Sequence, residues 1–64
     1  MNNNNSQEND RALRIALRIN EYHRYLANIY EGIVDRDFNY SEDATKALMM
    51  ELRCLIKSMK DDDF

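Results

Sequence analysis

The chain has 64 residues, 44% of them apolar and 33% charged, with twelve acidic side chains against nine basic ones and a net charge of −3. That length makes a single domain, and a chain so short buries only about 60% of the surface that its unfolded form exposes. The negative balance argues against a generic nucleic-acid or membrane-surface binder, because both need a positive field. Cys54 is the only cysteine, which excludes an internal disulfide and any cysteine framework for zinc. With neither device available, self-association is the expected source of the missing core.

In chain order, Met1–Asn5 with Ser6 and Gln7 is polar and low in complexity, and a disordered Asn-rich tail is expected over residues 1–8. A first helix is expected over about 9–33. Ala12, Ile15, Ile19, Tyr22, Leu26, Ile29 and Ile33 step by three and four along it. Asn9 or Asp10 can cap its first turn, and Gly32, the only glycine, is read as its stop because glycine takes a left-handed conformation without steric cost. A connection follows over 34–40, in which Asp35, Asp37 and Asn39 favour turns, while Phe38 and Tyr40 are expected to fold back over the open end of the core. Ser41 is the expected N-cap of a second helix over about 41–60, with Glu42 and Asp43 at the favourable end of its dipole. Thr45, Leu48, Leu52, Leu55 and Met59 repeat the apolar spacing. Residues 61–64, Asp61-Asp62-Asp63-Phe64, oppose the dipole and are expected to fray. No run reaches the roughly 18 consecutive apolar residues of a membrane span, and no signal peptide is evident, so cytoplasmic residence is expected.

Two helices with a short link lie antiparallel. Their apolar rows then match in four layers, Leu26 with Leu48, Tyr22 with Leu52, Ile19 with Leu55 and Ile15 with Met59. With Ala12, Ile19, Leu26 and Ile33 at heptad position a, the flank around Leu13, Ala16, Leu17, His23, Tyr30, Met49 and Ile56 is apolar. The other flank, with Arg11, Arg18, Tyr25, Ala44, Glu51 and Ser58, is mostly polar. Leu13, Ala16, Leu17, Tyr30, Met49 and Ile56 are therefore the expected oligomer or partner interface. The fold expected is all-α, an antiparallel helical hairpin that self-associates into a dimeric four-helix bundle.

No catalytic, metal-binding or cofactor-binding pattern stands out. His23 has no second ligand three or four residues away on its helix, and Cys54 reads as a small, partly buried apolar residue. Arg11, Arg14 and Arg18 form a stripe with Tyr25 beside it, the arrangement that contacts a nucleic-acid backbone or a small anion and stacks on a base. Against that stands a solvated helix face, with Asp10 and Glu21 one turn away as partners. Asp61-Asp62-Asp63-Phe64 reads either as a solubilising tail or as a recognition tag with an aromatic anchor.

In fold plan alone, this hairpin looks like the small helix-hairpin dimers that control plasmid copy number by binding paired RNA. It also looks like the short hairpin co-chaperones of type III secretion, which clamp another subunit's helix. Neither likeness transfers a residue, because fold does not imply function. The function expected is a non-enzymatic one. It is protein–protein binding by an accessory regulator, inhibitor or adaptor of the kind that phages and mobile elements encode, with itself and a further protein as partners. The alternatives are an RNA-binding bundle using Arg11, Arg14 and Arg18, an oligomer that sequesters a small anionic ligand, and a helix-clamping co-chaperone.

Overall fold

In a computed structural model, which describes residues 3–64 and side chains from Glu8 onward, helices α1 (Asn3–Val34) and α2 (Phe38–Asp61) pack against each other as a hairpin. Gly32 meets Ser41 beside the turn, and Arg11 meets Asp62 at the open end. Both pairs lie within one residue of the antiparallel register that the apolar layers imply. Helix α1 starts earlier than Asn9 or Asp10, so the stretch expected to be a disordered tail is helical from Asn3, and the first two residues lie outside the described ones. No proline interrupts this stretch, and once a helix is nucleated each added residue gains a backbone hydrogen bond.

The connection is shorter than expected, only Asp35–Asp37. Gly32 does not stop α1. Arg36 takes the left-handed conformation instead, at φ 60°. The Arg36 amide donates to the Ile33 carbonyl at 3.1 Å and the Asp37 amide to the Gly32 carbonyl at 2.8 Å. These two bonds define a Schellman motif built without glycine. A side chain costs roughly 1–2 kcal/mol in this conformation, so Arg36→Gly is expected to stabilise the protein by about 1 kcal/mol, read as a higher urea midpoint with an unchanged slope.

Asp37, not Ser41, caps α2, its Oδ1 accepting a hydrogen bond from the Tyr40 amide at 3.2 Å. Phe38 and Tyr40 therefore sit in the first helical turn, exposed, and do not cover the end of the core. Ser41 falls one turn inside the helix, buried, with its hydroxyl donating to the Ile29 carbonyl at 2.6 Å. At the other end Asp62 takes a left-handed turn at φ 49°, ψ 47°. The Asp62 amide reaches the Met59 carbonyl at 3.4 Å and the Asp63 amide the Ser58 carbonyl at 2.9 Å, a second Schellman motif. The tail expected to fray is thus turned back towards α1.

The helices are rotated from the expected seam. The helix residues that are buried or half-buried are Ile15, Arg18, Tyr22, Tyr25, Asn28, Ile29 and Gly32 on α1 and Ser41, Ala44, Ala47, Leu48, Glu51, Leu55 and Ser58 on α2. Apart from Asn28 and Ala47 at c, these are heptad positions d and g, whereas the a row (Ile19, Leu26, Ile33, Leu52 and Met59) is exposed. The d row serves either arrangement. What favours this rotation is small size near the turn: Gly32 and Ala44 at g, with Ser41 at d, let the backbones approach closely, and interaxial distance follows the side chains at the contact. A Cβ on Gly32 would lie 2.9 Å from both Cβ and Oγ of Ser41. Three polar side chains of the seam bond to one another, since Arg18 donates to the Tyr22 hydroxyl at 3.0 Å and to the Ser58 hydroxyl at 2.9 Å.

The consequence is a very small core. Among the described residues Tyr22 and Leu48 are the only buried large apolar side chains, at 6% and 9% exposure. The Cα atoms extend 53 × 23 × 8 Å, the thickness of one helix layer. Domains form when a second layer covers the apolar face of the first, and this chain supplies only one layer.

Candidate interaction surfaces

Because the seam uses positions d and g, positions a and e of both helices emerge on the same broad side of the layer. Ile19, Leu26, Ile33 and Tyr30 of α1 lie there with Leu52, Met59, Met49 and Ile56 of α2. All eight are exposed, from 39% for Ile19 and Leu52 to 70% for Tyr30. Ala16 and His23, also at e, are exposed within the same side. Exposed apolar faces of this kind are candidate interaction surfaces.

Four of the residues expected at the interface, Ala16, Tyr30, Met49 and Ile56, thus share one face. Leu13 and Leu17 are exposed too, but at 100° per residue they fall more than a quarter-turn away from it. Leu13 points opposite the seam, and Leu17 lies on the outer edge of α1 towards the other broad side. The a row itself departs from expectation: Ile19, Leu26, Leu52 and Met59, expected in the hairpin's own core, form the middle of the exposed face.

The arginine stripe is satisfied within the chain. Arg11 Nη2 lies 2.9 Å from Asp62 Oδ1, and its guanidinium stands over the Phe64 ring with 5.2 Å to the centroid. Arg14 Nε donates to the Phe64 backbone oxygen at 2.8 Å. Arg18 is held in the seam, and Tyr25 is half-buried there rather than presented as a stacking platform. The partners differ from those expected one turn away on the helix. Glu21 pairs with Arg24 at 3.3 Å, and the tail takes the arginines nearest the open end.

A cleft of about 260 Å³ at the turn is lined by Glu31, Gly32, Asp35, Asp37 and Tyr40. Its Asp37 carboxylate is already engaged in capping α2. On α2, Lys46 Nζ stands 2.9 Å from Glu42 Oε1, and this hydrogen bond holds the Glu42 carboxyl below its usual range and the Lys46 ammonium above it. The pair is fully exposed and contributes little to stability. Cys54 is exposed. Among the described residues no three His, Cys, Asp or Glu side chains converge as a metal site, and no helix is long and apolar enough to cross a membrane.

The class of protein that this geometry defines is a two-helix hairpin with one uncovered apolar side. Compared with protein-family models, curated proteins and solved structures, the chain matches none.

Proposed function

We propose that this chain is a non-enzymatic interaction protein whose broad a/e face is its binding surface, and that two copies stack through that face as a four-helix bundle. The observation that carries the reading is the single helix layer with eight large apolar side chains on one side and two buried ones within. In a four-helix bundle each helix touches two neighbours. Here the d and g positions already meet the neighbour in the same chain, which leaves a and e for the neighbour in the other.

The face also suits a copy of itself. Position a and e residues in its middle carry no carboxylate or ammonium, so an isologous contact brings no like charges together. Once assembled, such a bundle acts by binding, as an accessory regulator, inhibitor or adaptor. A partner's amphipathic helix laid on the same face is the second reading, supported by Met49 and Met59, whose flexible side chains accommodate irregular surfaces.

Sedimentation equilibrium over a range of concentrations tests the first reading. Twice the chain mass is expected at micromolar concentration, and a monomer that persists at the highest concentrations would overturn self-association.

A further inference from the structure

We propose that Arg11 and Arg14 form a binding site for an acidic peptide segment with an aromatic residue two positions after the acid, and that the chain's own Asp62–Phe64 occupies it in cis. Three contacts of different chemistry meet there: a carboxylate on the Arg11 guanidinium at 2.9 Å, an aromatic ring beneath that guanidinium, and a backbone oxygen on Arg14 Nε at 2.8 Å. Phe64 is half-buried although it ends the described chain.

The seat is prepared from both sides. The left-handed turn at Asp62, closed by its Schellman hydrogen bonds, redirects the tail from the end of α2 onto α1. Arg18, the third arginine of the stripe, is committed to Tyr22 and Ser58 and leaves the other two to the tail. Arginine suits this role, since its planar fork takes a carboxylate while its face stacks on a ring.

Individually these surface contacts are weak. Tethering gives the tail an effective concentration of about millimolar or more, so a weak site is filled in cis and presented to a partner only when the tail is displaced. An acidic–aromatic segment fits better than a nucleic-acid backbone. A backbone would carry further phosphates past Asp10, which precedes Arg11, and past Asp61 and Asp63, which adjoin Asp62, in a chain whose net charge is −3.

The test uses a fluorescent peptide of sequence Asp-Asp-Asp-Phe and the full chain carrying Asp62→Asn with Phe64→Ala. Asparagine tolerates the left-handed turn, so the cap is kept while the occupant loses its charge and its ring. Fluorescence anisotropy is expected to show the peptide binding about tenfold more tightly to this variant than to the unsubstituted chain. Adding Arg11→Gln and Arg14→Gln is expected to abolish the gain, with unchanged helical circular dichroism showing that folding is intact. Equal peptide affinity for the variant and the unsubstituted chain overturns the proposal, as does a gain that survives loss of both arginines. A gain for a short RNA duplex without one for the peptide overturns it in favour of a nucleic-acid site. None of these outcomes depends on the chain's oligomeric state, so the proposal stands or falls separately from the four-helix bundle.

Discussion

Leu26→Asp combined with Ile56→Asp is expected to convert the proposed dimer to monomers, while Leu17→Asp leaves its mass unchanged. Leu26 and Ile56 are 53% and 52% exposed in the single chain and lie on the broad apolar face, so each has about half of its side chain left to bury against a second layer. Completing that burial is worth on the order of 1 kcal/mol per residue and copy. Enclosing a carboxylate in its place costs several kcal/mol more. Across two copies the dissociation constant is expected to rise by at least about a thousandfold, or 4 kcal/mol. Leu17 is just as exposed, at 59%, yet it points to the outer edge of α1. Analytical ultracentrifugation of the two variants therefore distinguishes a specific face from general stickiness. If Leu17→Asp dissociates the protein and the double variant does not, the assignment of the face is wrong.

Gly32→Ala is expected to destabilise the hairpin, against the direction that helix propensity dictates. Gly32 lies within α1 and has no positive φ, so by propensity alone alanine would be favourable by about 1 kcal/mol. The added methyl would instead sit 2.9 Å from Ser41 Cβ and Oγ and 3.0 Å from the Ser41 amide nitrogen. Ser41 cannot simply rotate away, because its hydroxyl is committed to the Ile29 carbonyl and its backbone belongs to α2. Overpacking of this kind costs about 1–3 kcal/mol, enough to reverse the sign. Thermal or urea unfolding reads the result directly. A stabilised Gly32→Ala protein would show that the helices are not in close contact here.

Much of the fold was legible in the residues. The three-and-four spacing of Ile15, Ile19, Tyr22, Leu26 and Ile29 specified a long amphipathic helix, and Leu48, Leu52 and Leu55 specified a second. Matching those rows gave an antiparallel register that Gly32–Ser41 and Arg11–Asp62 confirm to within a residue. Local signals were less reliable at the ends. Gly32 and Ser41 both read as terminators, and both turned out to be interior residues whose small size serves packing. The stop fell to Arg36 and the cap to Asp37. Glycine and serine favour ends and close contacts alike, and only the position of the opposite helix distinguishes the two roles.

The candidate surfaces divide in the same way. An apolar side and an arginine stripe were both visible in the heptad wheel. Which positions formed the hairpin's own seam was not, because three adjacent rows (g, d and a) were all compatible with packing. The structure places the g row, with small Gly32 and Ala44 and the Arg18–Ser58 hydrogen bond, inside with d and turns the large a row outward, so Leu26 and Leu52 move from the expected core to the exposed face while Leu13 and Leu17 leave it. The stripe met an equally non-local outcome. Asp62 and Phe64 are more than forty residues from Arg11 and Arg14, and they reach them only because a left-handed turn follows α2.

By itself, then, the sequence determined two helices, their direction and their register, since these follow from periodicities and charges carried along a single chain. Tertiary structure alone decided the rotation of each helix about its axis and the folding back of the tail. Rotation is set by how closely two surfaces can approach, and that depends on Gly32 meeting Ser41 and Arg18 meeting Ser58 across the seam, contacts that no local pattern contains.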